Sequence, residues 1–180
     1  MTAAIDTSLL LYVLNENTSA PIDVATGKPV ERCAARVNKL IADLGKRKEK
    51  LIVPTPVLAE VLVRAGAAAP RYLSILDANR AIRLADFNAL AAVESSVMIA
   101  QVLGSDERPS GGDARVKMKF DIMIAAIAKV NGASLVYSDD PDMVRLGRRF
   151  DFEVMGIAKL PEPPAATPDL FTGLDVEPQG

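Results

Sequence analysis

The sequence has no histidine and no tryptophan among its 180 residues, and a single cysteine, Cys33. Without histidine there is no imidazole base, no catalytic triad built on one and no imidazole metal ligand. One cysteine makes neither an intramolecular disulfide nor a cysteine metal cluster. Lacking a basic histidine partner, it reads as a small core residue rather than a nucleophile. A reducing, cytoplasmic setting suits such a chain. Aromatics make up only 4% of the residues, so the core has to be aliphatic. Neither sign of charge dominates: 21 Lys and Arg against 23 Asp and Glu leave a formal net charge of −2. That excludes coating nucleic acid through bulk charge, while a local basic groove stays open. No apolar run is long enough to span a membrane and no signal-peptide core opens the chain. A soluble protein with no membrane association is expected.

What the chain does have is aliphatic residues in alternating strand and helix patterns. Apolar runs at 3–5, 51–53, 81–84, 134–137 and 152–155 read as strands, and helical periodicity fills the stretches between them. Five strands alternating with helices predict an α/β domain of three layers, with a five-stranded, mainly parallel sheet flanked by helices. Residues 15–30 read as a long polar loop and 104–113 as a flexible one. Proline accumulates after Leu160. One domain over residues 1–158, followed by an extended or disordered tail over 159–180, is the expected organisation.

The stretch 120–140, FDIMIAAIAKVNGASLVYSDD, organises the rest. Ile124, Ile127 and Ala128 share a helical face, Asn131-Gly132 is a helix stop, and the strand that follows ends at Asp139 and Asp140. Asp121 falls in the first turn of that helix as read. Asp6 ends the first strand, and Glu60 follows the second. In a parallel sheet the carboxyl ends of the strands lie on one edge, so these five acids are placed to converge. Gathered carboxylates repel one another, and a hard divalent cation is the usual remedy. Oxygen-only ligands favour Mg²⁺ or Mn²⁺. Such an ion lowers the pKa of bound water, which suits hydrolysis by a chain without histidine.

Each acid also has a plainer explanation. Asp6 and Asp140 make good N-caps, Asp121 suits a helix dipole, and Glu60 with Arg64 has the spacing of a surface ion pair. Capping alone gives no reason for acids at matching edges of three segments.

The segments AIDTSLLLYVL, PTPVLAEVL, FDIMIAAIAKVNGA and LVYSDD resemble, in order, the four acidic motifs of PIN-domain ribonucleases. That family includes the VapC-type toxins of bacterial toxin–antitoxin pairs. The resemblance covers roughly residues 3–157. It implies a PIN-like fold, with Asp6, Glu60, Asp121 and Asp140 as the metal-binding, catalytic carboxylates and Asp139 as an additional candidate ligand. It also implies supporting hydroxyls from Ser8 and Ser138. The implied activity is a Mg²⁺- or Mn²⁺-dependent endoribonuclease that hydrolyses RNA phosphodiesters with a metal-activated water. The products would be a 5′-phosphate and a 3′-hydroxyl, and the implied partner is an antitoxin. Apart from the resemblance, the surplus of Ala and Leu faces suits helix-mediated pairing with a second copy of the chain. Two features depart from many toxin members. Lys117-Met118-Lys119 replaces an apolar approach to the third acid, and the 15–30 stretch and proline tail exceed a minimal toxin.

Arg115, Lys117 and Lys119 alternate on the way into Phe120 and are the candidate contacts to RNA phosphates, against a reading as a solvated segment. Two rival functions remain at this stage. One is a non-catalytic PIN-like module that binds RNA or protein. The other is a phosphatase with Asp6 as nucleophile, although Ser8 stands where such enzymes commonly carry a second acid.

Overall fold

The computed structural model describes residues 2–15, 18–106 and 109–164. Its strands are β1 (Thr2–Ile5), β2 (Lys50–Pro54), β3 (Ile82–Ala85), β4 (Leu135–Tyr137) and β5 (Glu153–Met155), in the order β3-β2-β1-β4-β5. Every pairing is parallel. Ala3, Ala4 and Ile5 of β1, like Leu51, Ile52 and Val53 of β2, are fully buried, as a sheet covered on both faces requires. The flanking helices are α1 (Thr7–Leu14), α2 (Cys33–Lys46), α3 (Thr55–Ala65), α4 (Ala69–Ala78), α5 (Ala89–Leu103), α6 (Gly112–Val130) and α7 (Pro141–Phe150).

Strand order sets where function can sit. The chain moves outward from β1 through β2 to β3, then returns across the sheet to place β4 on the other side of β1. The order therefore reverses between β1 and β4, and a crevice opens at the carboxyl ends of that pair. Backbone bonds carry the pairing past the strands themselves. Asp6 N–H donates to the Tyr137 carbonyl at 2.9 Å, and Ser138 N–H to the Met155 carbonyl at 3.1 Å. Asp6 and Ser138 thus leave the sheet side by side.

Helix α6 corrects the sequence reading in a way that matters. It begins at Gly112, so Asp121 lies in its third turn and not its first, and residues 115–119 are helical. Its far end matches expectation. Gly132 N–H donates to the Lys129 carbonyl and Ala133 N–H to the Ala128 carbonyl, both at 2.9 Å, with Gly132 at φ +76°. This is a Schellman stop, and glycine holds the left-handed position. Helical periodicity over 31–43 predicts the next helix, and α2 starts two residues later, at Cys33, and runs on to Lys46. Thr55 does not cap α3: it is the first helical residue, and its hydroxyl accepts from Phe87 N–H at 3.2 Å.

Within the polar stretch before α2, Ile22 bridges Pro29 across a turn whose Asp23 accepts from Ala25 N–H at 2.9 Å. Val30 then enters the core. Beyond β5, Ile157 and Leu160 are buried and the chain lies against α2. There Arg36 donates to the Leu160 carbonyl, and Arg32 donates to the Pro163 carbonyl at 2.6 Å. The remainder of the expected tail, 165–180, falls outside the described residues.

Helix α7 is seated on β5 through Gly147. A Cβ there would stand 2.7 Å from the Phe152 carbonyl oxygen and 2.8 Å from Val154 Cγ2. Gly147→Ala should therefore destabilise the fold by about 1–3 kcal/mol, despite alanine's better helix propensity, as read by urea denaturation. Unchanged stability would mean that α7 is free to lift from the sheet.

Candidate active site

Asp6 occupies the N-cap of α1 with 8% of its surface exposed. One carboxylate oxygen, Oδ1, accepts from Thr7 N–H at 2.7 Å. The other, Oδ2, accepts from the Ser138 hydroxyl at 2.7 Å and the Ser8 hydroxyl at 3.3 Å. Asp140 repeats the arrangement at α7: Oδ1 accepts from Asp142 N–H at 2.8 Å, and Oδ2 accepts from Lys117 at 2.9 Å. Each acid is both a cap and a site residue, because its two oxygens do different work. The Ser8 and Ser138 hydroxyls then turn to the neighbouring backbone as acceptors, Ser8 from Asp139 N–H at 3.2 Å and Ser138 from Asp140 N–H at 3.0 Å.

Glu60 joins from α3. Its Oε2 accepts from the Thr7 hydroxyl at 2.8 Å, and its Oε1 pairs with Arg64 one turn on at 2.7 Å. Asp121 reaches in from α6. Asp6, Glu60, Asp121 and Asp140 line one open cavity of about 820 Å³, together with Lys117. The structure brings these four predicted acids together.

Asp139 goes elsewhere. Its Oδ1 accepts from Ile157 N–H at 2.8 Å, close beside Gly156, and its buried Oδ2 meets no hydrogen-bond donor among the described residues. Adjacent residues on extended backbone project to opposite sides, which separates Asp139 from Asp140. Asp142 takes the vacant role. One carboxylate oxygen from each of Asp121, Asp140 and Asp142 lies within 4.8 Å of the others, an oxygen-only donor set that fits a hard divalent cation.

The three basic candidates also part company. On a helix, residues 115 and 119 share one side and residues 117 and 121 the other. Lys117 Nζ bonds Asp140 at 2.9 Å and Asp121 at 3.4 Å, and it bonds Asp142 as well. Arg115 and Lys119 are exposed and do not line the cavity.

A PIN-domain family model matches residues 3–149. The chain belongs to the PIN-domain family. Its sheet and flanking helices are the fold that the acidic motifs imply. Among solved structures it is similar to the VapBC2 complex of Rickettsia felis bound to a promoter DNA fragment. That likeness has 16% identity and a TM-score of 0.59, covering 87% of this chain and 98% of that one. It is also similar to DNA-bound VapBC of Salmonella typhimurium, at 16% identity and TM-score 0.57, over 87% and 98% of the two chains. A third likeness is to VapC20 of Mycobacterium tuberculosis, described as a sarcin-ricin loop cleaving toxin, at 17% identity and TM-score 0.50, over 81% and 95%. At such identities the likeness is one of fold. No curated protein sequence matches significantly.

Of three further residues at this candidate site, the sequence reading passes over Thr7 and Asp142 and takes Lys117 as an RNA contact. Thr7 links Asp6 to Glu60, yet a threonine after an N-cap carries no signal of its own. Asp142 reads as an ordinary first-turn acid behind Pro141. Lys117 precedes Asp121 by four residues, which is a signal once the segment is read as helix.

Electrostatics at the site follow from burial. Burial pushes the Asp6 carboxyl above its usual range, against the hydrogen bonds from Ser138 and Thr7, and the Asp140 and Glu60 charges add to the rise. The Asp121 carboxyl moves from 3.8 up to about 6, chiefly through burial, with Lys117 opposing and Asp140 and Asp6 reinforcing. Desolvation works against the Lys117 ammonium, but its bond to Asp140 and the charges of Asp121 and Asp140 prevail and raise its pKa. Asp121 and Lys117 thus both shift upward, because burial of Asp121 outweighs its partner.

Between those two values the folded protein keeps the Asp121 proton that the unfolded chain has released. Its contribution to stability is complete below about pH 4 and is lost as pH rises to about 6, on the order of 2 kcal/mol. Denaturation of the metal-free protein across pH 4–7 should show stability falling through that window, and Asp121→Asn should flatten the fall. An unchanged slope in the variant would assign the titration to other acids.

Proposed function

We propose that this chain is a Mg²⁺- or Mn²⁺-dependent endoribonuclease that hydrolyses RNA phosphodiesters and leaves a 5′-phosphate and a 3′-hydroxyl. The convergence of Asp6, Glu60, Asp121 and Asp140 on one cavity at the β1–β4 switch point carries this reading. Asp121, Asp140 and Asp142 would hold a divalent ion, with Asp6 beside them. That ion would supply Lewis acidity toward the phosphate and acidify a water. The chain's own part is positioning. Ser138, Ser8 and the Thr7 N–H lock the Asp6 carboxylate in one orientation before substrate arrives, and Thr7 does the same for Glu60. Groups held in place in advance need no reorganisation as charge develops. Arg64, at the cavity wall, is placed to meet a phosphate.

The likeness to VapBC complexes supports an antitoxin as partner; a second copy of the chain is a separate proposal, resting on its Ala- and Leu-rich helix faces. A cytoplasmic setting fits that role. Among the described residues no helix is long and apolar enough to cross a membrane. One observation favours a second reading, a non-catalytic PIN-like module that binds RNA or protein: the Lys117 ammonium already lies among the acids.

Asp6→Asn separates these readings. Asparagine caps a helix about as well as aspartate, so the fold should change by less than ~1 kcal/mol. Removing a charge from the cluster should leave metal-free stability equal or higher. The melting shift produced by Mn²⁺ should shrink, since a weaker ligand set gains less from mass action on the native state. Cleavage of single-stranded RNA should need Mg²⁺ or Mn²⁺, vanish with chelator and fall by orders of magnitude in the variant. A variant that cleaves RNA and answers Mn²⁺ as wild type does would end the metal reading at this position.

A further inference from the structure

An ammonium group carries three hydrogens, and those of Lys117 have three carboxylate partners: Asp121 at 3.4 Å, Asp140 at 2.9 Å, and Asp142. The same three acids have oxygens within 4.8 Å of one another. The ammonium therefore sits where a cation held by all three would sit, and the two cannot share that position. Resting on the metal reading above, we propose that Lys117 is a tethered cation that fills the Asp121–Asp140–Asp142 position and is displaced when a divalent ion binds there.

The placement follows from the helix. Lys117 and Asp121 are one turn apart on α6, so a lysine at this spacing reaches its own acid and, past it, the two acids at the start of α7. Three carboxylates facing one another without a cation would repel strongly in a half-buried cleft. A single ammonium offsets part of that charge and keeps the cleft preformed. Release is feasible because the Lys117 side chain is 49% exposed on a flexible four-carbon stem. Asp142 has a second cation in Arg145, so it is not stranded when Lys117 leaves. The consequence is a threshold: divalent ions load only at concentrations sufficient to expel the resident charge.

The test is a calorimetric Mn²⁺ titration of wild type, Lys117→Gln, Lys117→Arg and Lys119→Gln, with melts of each in chelator and in Mn²⁺. Gln is a comparable helix former at this half-exposed position, so the fold should persist. Lys117→Gln should bind Mn²⁺ at least ~10-fold more tightly than wild type, because no like charge has to leave. Its metal-free melting temperature should drop and its Mn²⁺-induced rise should grow. Lys117→Arg keeps the charge and should bind no more tightly than wild type. Lys119→Gln removes a charge from the outer side of the helix and should change affinity by less than about threefold, as a screened charge would. Equal or weaker Mn²⁺ binding by Lys117→Gln would overturn the proposal while leaving the metal site standing. So would a gain in Lys119→Gln matching that of Lys117→Gln, which would reduce the effect to the general field. Absence of Mn²⁺ uptake by every variant and by wild type would remove the metal reading and this proposal with it.

Discussion

Like-charge repulsion at the β1–β4 edge is the constraint around which the rest of the site is arranged. Asp6, Asp121, Asp140 and Asp142 come from three separate segments, and Glu60 from a fourth. Left alone, such a group would force the segments apart or take up protons. Several devices oppose this. Asp6 and Asp140 cap helices α1 and α7, so the positive ends of two helix dipoles lie at these acids and the Thr7 and Asp142 N–H groups donate to them. Two serine hydroxyls donate to Asp6 Oδ2. Lys117 then supplies a full charge at the point where three carboxylates meet. Burial holds the carboxyls of Asp6 and Asp121 above their ordinary range, and what repulsion remains adds to it, from Asp140 and Glu60 at Asp6 and from Asp140 and Asp6 at Asp121.

The sheet makes this convergence unavoidable. Because every strand is parallel, all carboxyl ends share an edge, and the order reversal at β1 opens that edge into a crevice. Asp6 and Ser138 are fixed by the backbone bonds that extend the β1–β4 and β4–β5 pairings, so the distance between them is set by the pairing itself. Asp121 is set differently, by the axial position of α6, whose Schellman stop at Gly132 fixes where the helix ends and β4 begins.

The strands and the four acids of the cavity were legible because they depend on local rules: apolar runs, helix stops, and acids at a strand end or in the helix beside it. What was not legible depends on angle. Read as alternating basic residues that lead into Phe120, 115–119 hides the fact that Lys117 and Asp121 share a helix side. Within the helix the same residues sort themselves, with Lys117 inside and Arg115 and Lys119 outside. Asp139 and Asp140 look equivalent as a pair, yet extended backbone sends them to opposite sides. Only Asp140 faces the cluster, while Asp139 is held by Ile157 N–H. Gly156 makes room for that contact, since a Cβ there would lie 2.6 Å from Asp139 Oδ1. The stretch beyond β5 is tied in turn to α2 through Arg32 and Arg36, which donate to its Pro163 and Leu160 carbonyls.

Asp6 and Asp140 show why reading an acid as either a cap or a ligand poses a false choice. A carboxylate has two oxygens, and in both residues one accepts from an N–H at the start of a helix while the other takes a different partner, the serine hydroxyls at Asp6 and Lys117 at Asp140. The capping oxygen contributes stability of about 1 kcal/mol, which offsets part of the cost of holding a charge in a half-buried site. It also removes rotational freedom, and the partners of the second oxygen, the two serine hydroxyls at Asp6 and Lys117 at Asp140, complete its orientation. Helix start and site geometry are therefore one arrangement. A substitution that keeps the cap but removes the charge changes the chemistry and spares the fold, whereas one that removes both, such as alanine, confounds the two.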